Sequence, residues 1–387
     1  MVYGPWSSTT LHPRLYAIAR YRRLVDLVAK RFFVQASLTW SYWKGSSKVM
    51  KNKLLPVFLL LFAAASGAAG QEKITIPDLD RIRLAEAFRI GESLGNRVWK
   101  NWDKAPFAVL LVTPENEFLI RHPRPSKDFT LIGFDSLLKS NVYFRKRTQS
   151  IHYLATFPAV GGVSTIVIGQ AENTSKKTSA PWVITVLHEH FHQLQSSQPT
   201  YYADVNALNL SRGDQSGMWM LNFAFPYKDE QIKEQFAALS KLLAKALQAK
   251  QKSDFAAGLS EYLQARKAFQ QMLTPDDYKY FSFQIWQEGI ARYTEFRMAD
   301  LAAKKYRPTK EFRALKDYTP FKEVADSLLS KQILTSLPTL ELDRLERLVF
   351  YPFGAAEGLL LDRANPVWRN RYLTEKFYVE RYFEKTK

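Results

Sequence analysis

The chain has 387 residues, 46% of them apolar and 14% aromatic, which suits a large packed core and excludes a disordered chain. It contains no cysteine, so disulfides and thiolate metal ligands are excluded, and any metal ion must be held by His, Asp or Glu. The formal charge is +18, but no basic-aromatic pattern accompanies it, so the expectation is a solvated basic surface and no nucleic-acid partner.

The first organised segment spans residues 50–70. Met50 opens a short basic region (Lys51, Lys53), an apolar run follows over 54–65, and small residues fill 66–70. This is the layout of a Sec signal peptide cleaved just before Gln71, and the run is shorter than the roughly 20 residues a membrane span needs. Translation is therefore read as starting at Met50, with residues 1–49 an upstream extension; the alternative is an internal signal anchor with a basic cytoplasmic tail. The expected product is exported, periplasmic or secreted, without a stable membrane span. Removing residues 1–70 leaves a formal charge of +9.

From residue 74 to about 102, apolar positions recur at helical spacing. Five β-rich runs then follow at 107–113, 117–122, 129–134, 141–147 and 164–169, separated by turn formers. Beyond Pro181 the pattern becomes helical. Residues 229–271 read as two long amphipathic helices broken near Ser253 and Asp254. Thr274 followed by Pro275, Asp276 and Asp277 marks another helix start, carrying the chain to about 305. The expected class is α+β: an N-terminal α/β part over 71–180 with a small mixed sheet, then a mainly helical part over 181–387.

The densest chemistry lies in His188-Glu189-His190-Phe191-His192, where three of the chain's six histidines fall within five positions. Read as H-E-x-x-H on a helix with Pro181 in its first turn, the spacing sets His188 and His192 on one face. At about 100° per residue His190 points to nearly the opposite side and is a bystander. One zinc ion is the expected cofactor, with His188 and His192 as ligands and Glu189 as general base. A third ligand must come from elsewhere. Asp204 and Asp214 are near in sequence, but both lie in loop-like contexts.

The stretch 286–296, WQEGIARYTEF, resembles the third-ligand helix of gluzincin metallopeptidases, where an acidic residue followed by Gly completes the zinc site. That resemblance implies a thermolysin-like α+β fold with an edge strand lining the cleft, and zinc-dependent hydrolysis of a peptide or protein substrate. It makes Glu288 the third ligand and lets Glu295, two turns further on, orient a ligand histidine. Tyr351, in Tyr351-Pro352-Phe353-Gly354-Ala355, matches the oxyanion-stabilising tyrosine of the aminopeptidase N family. Glu172, in Gly169-Gln170-Ala171-Glu172-Asn173, is similar to the glutamate with which that family grips a free amino group. The strand ahead of it, 164–169, is then the expected cleft edge. Between His192 and Glu288 lie far more residues than the family usually has, which implies a helical insertion over 229–271. Another zinc amide hydrolase of cell-wall peptides, or an inactive peptide-binding relative, are the alternative readings.

Overall fold

The computed structural model describes residues 74–384, so the expected signal peptide and the extension before it lie outside the described residues. Helix α1, Asp78–Val98, follows the apolar periodicity and buries Leu84, Phe88 and Leu94 on its inner face. Six strands come next: β1 Val109–Val112, β2 Asn116–Ile120, β3 Thr130–Asp135, β4 Ser140–Lys146, β5 Leu154–Val160 and β6 Val163–Gly169. They form one sheet in the order β3-β4-β2-β1-β6-β5. Only the β1–β6 pair is parallel; every other pairing is antiparallel.

The strand pattern explains this layout. β1 and β6 are near-continuous apolar runs covered on both faces, as interior strands require. On one face Val109, Leu111, Ile166 and Ile168 join the main core beneath the helices. On the other, Leu110, Val112, Leu119 and Val167 form a smaller cluster with Phe129 and Val160.

One strand was not anticipated, and it corrects the expected cleft edge. The edge of the sheet is β5, while the 164–169 run sits inside it as β6. Pro158 within β5 argues against an interior strand and suits an edge, where a missing N–H costs no ladder bond. Gly161 and Gly162, both at positive φ, make the two-residue turn that folds β5 back on β6.

Helix α2, Ser179–Ser196, crosses the middle of the molecule with almost every residue buried. Its first backbone N–H donates to a carboxylate oxygen of Asp317 at 2.8 Å, a tertiary substitute for a local N-cap. The insertion forms a hairpin of α3, Glu230–Gln248, and α4, Lys252–Met272. The break lies at 249–251 rather than at Ser253 and Asp254, which occupy the first turn of α4, where an acidic side chain faces the positive end of the helix dipole. Helix α5, Pro275–Gln284, starts as expected, with Thr274 accepting from the Asp277 N–H. It continues through a π turn, Ile285–Gly289, into α6, Ile290–Lys305. Helix α7, Phe350–Ala364, packs against both the π turn and α6. Because α1 packs on α2 and α6, the sheet-bearing and helical parts share one core and behave as one compact unit. Among the described residues no helix is long and apolar enough to cross a membrane.

Candidate metal centre

His188 and His192 lie one turn apart on α2, and their Nε2 atoms face each other at 3.2 Å. Glu288, 96 positions further along the chain, brings Oε2 to 3.6 Å from the His192 Nε2. These three are the one group of His, Asp or Glu side chains among the described residues whose ligand atoms converge as a metal site would require. Bond lengths of roughly 2.0–2.1 Å at a tetrahedral angle put neighbouring ligand atoms about 3.3 Å apart. The His188–His192 and His192–Glu288 separations are close to that value, and all three ligand atoms lie within 4.8 Å of one another.

The outer neighbours of the two imidazoles suit a cation at the inner nitrogens. Gln195 donates through Nε2 to the carbonyls of Trp286 and Gln287, both at 3.2 Å, and this pins its Oε1 against His192 Nδ1 at 2.7 Å. An acceptor there calls for Nδ1–H and leaves the Nε2 lone pair pointing inward. Gln287 Nε2 also lies 3.1 Å from that Nδ1, but its amide otherwise bonds only the Tyr201 hydroxyl, which can donate or accept and so permits either orientation. For His188 the outer partner is Glu295, whose Oε2 stands 3.3 Å from Nδ1. This is an ion-pair-range approach without a hydrogen bond, and a carboxylate on that side favours a proton on Nδ1 over one on Nε2. Two imidazole nitrogens and a carboxylate oxygen meeting at one point are a donor set that a zinc ion fits.

Local structure explains how a distant helix supplies the third group. The π turn at 285–289 closes with the Ile290 N–H on the Ile285 carbonyl, and the Trp286 and Gln287 carbonyls accept from side-chain donors. Gln195 takes both, and the Tyr372 hydroxyl also donates to Trp286 at 2.6 Å. Helix α2 is thereby fastened to the turn that carries Glu288. π turns of this kind recur at functional sites because the extra residue re-aims a side chain.

Charge at the centre is balanced by neighbours. Burial works against the Glu295 carboxylate, but Arg292, at 2.6 Å, and Lys176, at 3.1 Å, hold it well below the usual carboxylate range. Burial likewise disfavours charge on His192 and Glu288, yet without a metal ion their mutual attraction wins. Glu288 is held ionised, and the His192 pKa rises to about 9.

Glu189 lies beside the centre with 5% of its surface exposed. The Thr156 hydroxyl, on β5, is 2.8 Å from its Oε2 and 2.9 Å from its backbone carbonyl. Tyr351 also reaches the site. Its ring lies parallel to that of His188 with centroids 6.3 Å apart, and its hydroxyl accepts from Arg347 Nη1 at 3.1 Å. Burial and the Glu288 charge push the phenol pKa upward, so Tyr351 stays a proton-bearing donor.

His190 faces away, stacked on Phe107 with ring centroids 3.8 Å apart, and burial depresses its pKa to about 4. Asp204 pairs with Lys376, and Asp214 caps the short helix at Trp219; neither joins the centre. Glu172 does not join it either. Its carboxylate pairs with Arg83 at 2.7 Å, and Arg83 also binds Ser179, the first residue of α2. His188 is nine residues further along that helix, roughly 13 Å of axis. The expected amine anchor is thus the partner of a buried arginine at the far end of α2.

Sequence reasoning passed over Thr156, Gln195, Lys176, Arg292 and Arg347. Gln195 carried a usable signal, standing three residues after His192 on the same helical side. Thr156 was findable through the Gly161-Gly162 hairpin signal, which marks 154–160 as a strand. No protein-family model matches this chain, and no curated protein or solved structure shows significant similarity to it.

Proposed function

We propose that the chain is an exported zinc-dependent metallopeptidase of gluzincin type, with one zinc ion held by His188, His192 and Glu288. The observation that carries this reading is the convergence of those three side chains, with the Glu189 carboxylate on the same helix beside them. When bound, zinc would supply Lewis acidity toward a water molecule and a substrate carbonyl. Glu189, oriented by Thr156, takes the proton of the attacking water and delivers it to the departing amine nitrogen. The Tyr351 hydroxyl donates a hydrogen bond to the oxygen on which negative charge develops. Support for a peptide substrate comes from β5, whose outer edge has no sheet partner among the described residues and whose Thr156 touches Glu189, so an extended segment pairing there would run past the base. Export rests on the 50–70 pattern. The structure's mixed α+β architecture is compatible with a thermolysin-like arrangement enlarged by the α3–α4 hairpin.

The test is metal content together with peptide turnover for protein produced from Met50. One zinc per chain is expected, with hydrolysis of a broad peptide library. Glu189→Gln should retain the zinc and lose about 10²–10⁴-fold in rate. A protein that retains no divalent metal, or a Glu189→Gln variant as active as the parent, overturns the proposal.

A further inference from the structure

Arg347 is covered to within 23% of its surface, yet its guanidinium makes one hydrogen bond among the described residues, from Nη1 to Tyr351 Oη. A guanidinium has five N–H donors, so most of them have no protein partner and are open to solvent. Its nearest counter-charge is Glu288 Oε1 at 3.7 Å, beyond hydrogen-bond reach. Buried arginines of this chain differ among themselves: Arg266 bonds Glu357 through Nε and has both terminal nitrogens enclosed without a hydrogen-bond partner, whereas the unbonded nitrogens of Arg347 are not enclosed and so remain open to a solute. Arg83, nearly fully buried, directs every guanidinium nitrogen at a partner: Ser179, Asp80, Glu172 and Asp317.

The charges around the centre sharpen the contrast. Glu189, Glu288 and Glu295 face Lys176, Arg292 and Arg347, which leaves no net charge while the imidazoles are neutral. A divalent cation drawn to Glu288 would add positive charge and compete for the counter-charge nearest Arg347. The guanidinium then stands beside a cation, with free donors directed at no protein acceptor. An anion is the group that satisfies it. Arg292, whose guanidinium carbon lies 5.5 Å from the Tyr351 ring centroid against 5.7 Å for Arg347, adds to the same field.

We propose that Arg347 is the subsite for a substrate carboxylate, so that the peptides taken by this centre present a negative group next to the bond that is cut. The inference rests on the peptidase reading and names its substrate class. The carboxylate comes from a chain end or from an acidic side chain; both offer the paired oxygens a guanidinium binds in register.

The test uses zinc-loaded Glu189→Gln protein, immobilised and exposed to one pool of N-acetylated tetrapeptides made as free acids and again as C-terminal amides. Retained peptides are measured by mass spectrometry, which does not depend on turnover. The free acids, or the Asp- and Glu-containing amides, are expected to be retained about 10–100-fold over neutral amides, the range of a charge-assisted hydrogen-bonded pair. Enrichment confined to free acids assigns the carboxylate to a chain end; enrichment of acidic amides assigns it to a side chain. Adding Arg347→Gln should abolish the preference and Arg347→Lys should keep part of it. Tyr351→Phe, which removes only the phenol bond, should leave the ratio in place. Equal retention of neutral and acidic peptides, or a preference that survives Arg347→Gln, overturns the proposal. Acid-selective retention without hydrolysis by the Glu189 protein would sink the peptidase reading and leave the subsite standing. Hydrolysis with no acid preference would do the reverse.

Discussion

Gly289 and Gly354 meet backbone to backbone: a methyl group built on either would stand 2.6 Å from the Cα of the other. The first follows Glu288 in the π turn; the second lies three residues after Tyr351 on α7. Their contact lets two helices approach closely enough for the Glu288 carboxylate and the Tyr351 phenol to come together. In an open helix, replacing Gly by Ala stabilises by about 1 kcal/mol. Here the sign should reverse. Gly289→Ala and Gly354→Ala are each expected to cost about 1–3 kcal/mol through overpacking against backbone that cannot yield. Urea denaturation measures it, and a neutral or stabilising result would mean that the helices separate freely.

Thr156 should matter for rate more than for metal. Thr156→Val keeps the strand shape and removes the hydroxyl beside the Glu189 carboxylate. A fall of roughly tenfold in kcat is expected, about the worth of one charge-assisted hydrogen bond, with zinc content unchanged. Steady-state kinetics alongside metal analysis would check it. Loss of zinc in this variant would mean that Thr156 supports the whole site rather than the base.

Glu295 predicts the opposite split. Its carboxylate stands 3.3 Å from His188 Nδ1 on the side away from the centre, so Glu295→Gln should weaken zinc binding by about 10–100-fold. Competition against a chromogenic chelator reads this directly. Glu189→Gln, which touches no ligand nitrogen, should leave the affinity within a few-fold.

The His192–Glu288 pair makes metal binding compete with a proton. In the metal-free protein the folded His192 pKa, about 9, lies above its ordinary value of 6.5. The pair's stabilisation is therefore fully present below pH 6.5 and fades as pH rises through 9. Zinc needs the neutral imidazole, so binding near pH 7.5 should release about one proton and binding above pH 10 almost none. Titration calorimetry in two buffers of different ionisation enthalpy counts the protons. Zinc uptake at pH 7.5 without proton release would show that His192 is already neutral there.

Much of the centre was legible in the chain because its elements are local. A helix carrying H-E-x-x-H sets two imidazoles on one face whatever surrounds it, and the Thr274-Pro275 start with the Glu288-Gly289 step marks the second helix on its own. The sequence by itself therefore determined α2, the α5–α6 rod, the paired histidines and the turned-away His190. What it left open are contacts between segments far apart in the chain. The partner of Glu172 proved to be Arg83, 89 positions away, because burying a guanidinium requires acids from wherever the fold can bring them. The edge strand proved to be β5, whose Pro158 hides it from a propensity reading and whose place is set by pairing with β6. Glu288 meets His192 only because Gln195 fastens α2 to the π turn and two glycines let α7 close over it. Periodicity records which face of an element is apolar; which element that face meets, and at what distance, only the tertiary structure decides.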